Sequence, residues 1–218
     1  MRNSASLDFS IGSFPVRVHW SFLLVAVLMG FTYLSTPILL LSWVAIVLVS
    51  VLVHELGHAV AAEHYGMFPS IMLYSMGGMT IHGRSKSLTY LQEILLSLAG
   101  PFAGFALGGV VYLLAHFLTF IPYLGLVILS QLLWVNIGWG IINLVPMLPL
   151  DGGNVMRSLW HWLFRPYDER TPLLISIVIG VLLVIAGLIL SQTFLAILAF
   201  YITLNNFQAL RGGPTMVY

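Results

Sequence analysis

The segment His54-Glu55-Leu56-Gly57-His58 sets two imidazoles four residues apart. At about 100° per residue, helical positions 54 and 58 lie roughly 40° apart and one turn along the same face, so both rings can reach one metal ion. Glu55 then sits beside that ion without having to bind it. The motif stands inside an apolar stretch, where a charge costs roughly 2.5 to 3.5 kcal/mol on insertion scales. Metal ligation accounts for keeping three ionisable groups there. The chain has no cysteine, so any metal must be held by His and carboxylate.

A third ligand is needed, and the sequence offers several. His64 follows His58 at the spacing of an extended zinc motif. Where that motif has a bending glycine this chain has Ala61, and an unbroken helix turns His64 about 240° away from His58. Glu93 is a second candidate, with a plainer reading as a polar residue near a helix end. His82 is a third histidine near enough in the chain to compete. Asp151 closes Asn143-Leu-Val-Pro-Met-Leu-Pro-Leu-Asp151-Gly-Gly153, which by itself reads as a turn ending a helix.

The elements that must position these groups follow from composition. Of 218 residues, 60% are hydrophobic and 7% charged, and the mean hydropathy is +1.01. An ordinary soluble domain carries charge on about a quarter of its residues; a chain this apolar is expected to be an all-α polytopic membrane protein. Apolar runs from Val18 to Leu34, Ile38 to His64, Leu88 to Phe120, Tyr123 to Val145 and Pro172 to Leu204 suggest about six spans. The last run, about 50 Å as one helix, must break near Ser191 and Gln192. The first is too long for a signal-peptide core and is read as a retained span. Between spans two and three, Ser70 to His82 contains two β-prone runs around Gly77-Gly78 and reads as a membrane-associated β-hairpin. One of its edges could receive an extended peptide.

Lys and Arg collect in cytoplasmic loops. Arg2, Arg17, Arg84, Lys86, Arg157, Arg165, Arg170 and Arg211 all fall on one face of a six-span chain, which puts both termini in the cytoplasm. Spans two and four then run inward, so the histidine pair and Asp151 both belong to the cytoplasmic side. A His, His and Asp set with one open position is the arrangement of a catalytic zinc site. The net charge of +1, with no basic stripe, argues against nucleic acid as a partner.

HELGH on one membrane helix and NxxPxxPLDGG ending another resemble the site-2 protease family of intramembrane zinc metalloproteases. Phe14-Pro-Val-Arg-Val-His-Trp-Ser21, Met76-Gly-Gly78 and Leu98-Ala-Gly-Pro101 are similar to features of the branch that includes the bacterial sporulation protease. The resemblance implies that His54, His58 and Asp151 bind one zinc ion per chain, that Glu55 is the catalytic acid/base, and that Asn143 lies near the substrate or the oxyanion. It also implies a transmembrane metalloprotease domain, expected to be a single one over residues 1–218; in lacking a PDZ or CBS domain there, the sequence departs from many relatives. Many relatives have an asparagine after the Gly-Pro of span three, where this chain has Ala103-Gly104. That puts in doubt a polar contact at this position and leaves the zinc set untouched.

The expected function is therefore hydrolysis of a peptide bond within or near a transmembrane segment of another membrane protein. The expected partners are that substrate and the lipid bilayer, with a membrane regulator or a homo-oligomer left open. The compact chain suits a prokaryotic cell membrane. A metal-ion transporter would spread ligands along a pore, whereas the polar set here is confined to one depth. A non-catalytic adaptor would have no need of Glu55.

Overall fold

The alternation in Phe14-Pro-Val-Arg-Val-His19 has period two, and the chain answers it with strand β2 (Phe14–His19), burying Phe14, Val16 and Val18 and exposing Pro15 and Arg17. The computed structural model describes residues 6–83, 87–118 and 120–212, and Arg2, Arg84, Lys86 and Thr119 lie outside the described residues. The described chain forms two bodies, one of residues 1–87 and 99–142, the other of residues 88–98 and 143–218.

In the first body β2 pairs antiparallel with β1 (Ser6–Ile11) through a tight turn at Gly12, whose φ of 57° suits glycine. It pairs in parallel with β3 (Pro69–Tyr74), with Val16 opposite Ile71 and Val18 opposite Leu73. β3 turns into antiparallel β4 (Gly77–His82), with Tyr74 opposite Gly77. The order is β1-β2-β3-β4. The hairpin expected around Gly77-Gly78 is thus half of a four-stranded sheet. The first two strands come from the polar opening of the chain, which the sequence reading left unassigned.

Those strands also shorten the first expected span. Val18 and His19 belong to β2, and helix α1 (Trp20–Met29) has 10 residues followed by a 3-10 turn at Phe31–Tyr33. At 1.5 Å per residue it is about 15 Å long, half a bilayer core. Among the described residues five helices are long and apolar enough to cross a membrane, where about six were expected: α2 (Pro37–His64), α3 (Tyr90–His116), α4 (Tyr123–Asn143), α6 (Arg170–Ile189) and α7 (Thr193–Leu210). Between α4 and α6 lies the shorter α5 (Asp151–Leu163).

Pro37 opens α2 with its pre-set φ, and Gly66, at φ 80°, closes it as Gly66 and Met67 donate backward to Glu63 and Ala62 carbonyls. The sheet face packs on this helix, and Val16, Ile71, Leu73, Trp43, Val47 and Ala59 share one buried cluster. α4 contains a π turn at Trp134–Gly138. Asn136, buried in that turn, donates to Ser50 Oγ of α2 at 2.9 Å and to Leu132 O at 2.8 Å.

In the second body α6 and α7 form an antiparallel pair. The break falls where the length argument put it: Ser191 has φ 54° and Gln192 N–H returns to Gly187 O at 2.7 Å. Asp168 caps α6, accepting from Arg170 N at 3.1 Å, Thr171 N at 3.3 Å, Thr171 Oγ1 at 2.7 Å and Trp160 Nε1 at 3.1 Å. The Thr171 hydroxyl and then the Trp160 indole hold its carboxyl below the usual carboxylate range.

Candidate metal centre

The helix geometry of α2 brings His54 Nε2 and His58 Nε2 to 3.1 Å, with the rings near perpendicular at 78°. Tetrahedral coordination at about 2.05 Å separates two ligand nitrogens by roughly 3.3 Å, so this pair has the spacing of two ligands to one ion. The space before them is kept open by a glycine on α3. A Cβ at Gly100 would run into His58 Nε2 and lie 2.7 Å from His54 Nε2. That is a cradle of atomic size facing two nitrogen donors, and it fits a zinc ion.

Glu55 points to the sheet side and is 5% exposed. Thr80 on β4 has its hydroxyl 2.7 Å from Glu55 Oε2 and 3.0 Å from the Glu55 carbonyl oxygen. β4 reaches the carboxylate this closely because of Gly78, where a Cβ would lie 2.7 Å from Glu55 Cδ. Gly57, the variable centre of the motif, serves the opposite face. A Cβ there would collide with Ala99 O and stand 2.9 Å from Ala103 Cβ, so the residue sets how near α3 comes to α2.

His64 ends α2 exposed, with its ring against Tyr65 at 5.5 Å. His82 ends β4 half-buried, and burial, with the charge of His58 adding to it, pushes its pKa below the usual 6.5. Glu93 accepts a hydrogen bond from Ser158 Oγ at 2.8 Å within the second body. Among the described residues none of these three joins a group of three metal donors.

Asp151 is the first residue of α5, in the second body, and Asn143 is the last of α4; both are half-buried. The two glycines after Asp151 explain its setting. A Cβ at Gly152 would meet Val145 O at 2.6 Å, and one at Gly153 would meet Met147 O at 2.6 Å. The first turn of α5 therefore lies directly on the backbone of the Leu144–Met147 loop, which only glycine permits.

The sequence profile of peptidase family M50 matches residues 42–124 and 124–187. The chain belongs to peptidase family M50. This M50 chain is 30% identical over 153 residues to a zinc metalloprotease of Methanocaldococcus jannaschii, covering 69% of the chain and 44% of that protein. It is 29% identical over 247 residues to Rip3 of Mycobacterium tuberculosis, covering all of the chain and 60% of that protein. It thus spans about half the length of these relatives. The site-2 protease structure from Methanocaldococcus jannaschii superposes with a TM-score of 0.68 at 24% identity, over 98% of this chain and 99% of that one. The M50 assignment agrees with the resemblance read from HELGH and PLDGG, and the superposition establishes the fold. The sequence reading missed Thr80 as partner of Glu55, because a threonine in a β-prone run carries no signal of what it faces.

Proposed function

We propose that this integral membrane protein is a zinc-dependent endopeptidase that cuts a transmembrane or juxtamembrane segment of another membrane protein. In this reading His54, His58 and Asp151 hold one zinc ion, each offering a ligand atom. The observation that carries it is the histidine pair at 3.1 Å opening on the space that Gly100 leaves, with a buried carboxylate next in sequence.

When bound, zinc lowers the pKa of water to about 7 and polarises a carbonyl, supplying a nucleophile where water is scarce. Thr80 holds the Glu55 carboxylate through Oε2, and that carboxylate takes a proton from the attacking water. The water oxygen bonds to the scissile carbonyl carbon. As the carbon–nitrogen bond breaks, Glu55 returns that proton to the leaving amine. The Asn143 amide assists by donating to the developing oxyanion.

The substrate must be unwound locally, since carbonyls of an intact helix are shielded by their own hydrogen bonds. Among the described residues β4 has a neighbouring strand on one side only, and a strand added there would run beside Thr80, the partner of Glu55. In this reading the protein sits in a prokaryotic cell membrane with both termini cytoplasmic, on the one-sided distribution of Lys and Arg along the sequence. Its lack of cysteine lets single introduced cysteines report that orientation.

The test is Glu55→Gln against a membrane-protein substrate, with zinc content measured in the same preparation. Zinc should be retained and cleavage should fall by about 100- to 10,000-fold. Undiminished cleavage overturns the proposal.

A further inference from the structure

Among the described residues, two buried polar side chains of the last helical pair make no hydrogen bond to the facing helix. Ser176 on α6 is fully buried and Asn206 on α7 is 5% exposed, in segments where polar groups are costly. Each spends one hydrogen bond on its own helix: Ser176 Oγ donates to Pro172 O at 2.8 Å, and Asn206 Nδ2 donates to Ile202 O at 2.9 Å. The second bond of each goes to a single residue of the loop before α5. Leu148 N–H donates to Ser176 Oγ at 3.0 Å, and Asn206 Nδ2 donates to Leu148 O at 2.7 Å.

Leu148 is therefore held at both ends of its backbone by two different helices, three residues before Asp151. The chain between them has little freedom. Leu150 N–H returns to Met147 O at 2.9 Å, Asn154 N–H to Leu150 O at 3.0 Å, and Gly153 rests on Met147. Met147 is itself enclosed, 1% exposed, with its methyl 2.6 Å from where a Cβ on Gly180 would stand.

We infer that Ser176 and Asn206 are positioning residues for the zinc site, clamping the Leu148 peptide so that Asp151 is presented at the head of α5 in one orientation. The inference rests on the reading of Asp151 as a zinc ligand. Its physical basis is that groups orienting a ligand are worth about 10- to 100-fold in metal affinity. Simple helix–helix adhesion would have been served by a bond from Ser176 or Asn206 to the facing helix, and both bonds go to the loop instead.

The experiment uses the full chain in detergent, comparing wild type, Asp151→Ala, Asn206→Ala and Ser176→Ala. Three quantities are read: zinc affinity by chelator competition, Tm with and without zinc, and the visible spectrum of the cobalt(II)-loaded protein, which reports ligand geometry. The expected result for Asn206→Ala is an affinity loss of about 10- to 100-fold, a smaller zinc-dependent rise in Tm and a cobalt spectrum moved toward that of Asp151→Ala. Should Asn206→Ala not fold, Ser176→Ala gives the same readouts with only the Leu148 N–H left unpaired. If Asp151→Ala loses zinc while the folded clamp variant keeps wild-type affinity and spectrum, and loses Tm equally with and without zinc, the clamp is structural and the inference is overturned. If Asp151→Ala itself binds zinc as wild type does, the ligand reading falls and the inference falls with it.

Discussion

Thr80 Oγ1 stands 2.7 Å from Glu55 Oε2, joining strand β4 to the acidic residue of the HELGH helix across 25 positions of sequence. The bond holds one oxygen of the carboxylate, Oε2, while Oε1 lies beside Gly78 of the same strand. It also couples the edge strand, where a peptide would lie, to the group proposed to move the proton.

Thr80→Val keeps the shape of the side chain and removes the hydroxyl. Cleavage should fall about 10-fold, equivalent to about 1.4 kcal/mol and within the range of one hydrogen bond, while zinc content stays at the wild-type level. Steady-state cleavage together with metal analysis checks this. Unchanged kcat would mean that the hydroxyl only packs.

Gly100→Ala fills the space before the two histidine nitrogens. Alanine suits a helix better than glycine by roughly 1 kcal/mol, so α3 should survive the change while zinc binding is lost. Metal analysis and circular dichroism of the purified variant separate the two effects. Zinc retained at wild-type occupancy would show that the ion does not use this space.

Gly152→Ala and Gly153→Ala drive a methyl into backbone atoms that cannot rotate away. Each should destabilise the protein by about 1 to 3 kcal/mol, seen as a lower Tm even with zinc removed. A Tm equal to wild type would mean the Leu144–Met147 loop is free to yield.

Stability should also depend on His82. Its folded pKa lies below the unfolded value of 6.5, chiefly through burial, so between the two values the unfolded chain binds more protons. Stability is then constant above pH 6.5 and declines as pH falls through that value toward the folded pKa. Thermal unfolding of wild type and His82→Gln, compared at about pH 7.5 and 5.5, should show a smaller acid loss in the variant. Equal losses would assign the acid sensitivity to other groups.

The parts legible in the sequence are those governed by neighbours along the chain. The spacing of His54 and His58 becomes a pair of nitrogens at 3.1 Å because a helix repeats every 3.6 residues whatever surrounds it. The break near Ser191 follows from the length of an apolar run against the thickness of a bilayer. The strands β1 and β2 were less visible. Their alternation at Phe14–His19 is short, it merges with the apolar run of α1, and its pairing partner in β3 lies more than fifty residues away.

By itself the sequence determined a membrane-embedded helical chain with a metal-binding motif and a glycine-rich turn bearing Asp151, since hydropathy, helical period and turn chemistry are local. Only the tertiary structure decided that Thr80 meets Glu55, that Gly100 opens the face of both histidines, and that Ser176 and Asn206 converge on Leu148. A buried hydroxyl or amide finds its partner by where packing brings it, and composition carries no record of which distant backbone group will need the bond.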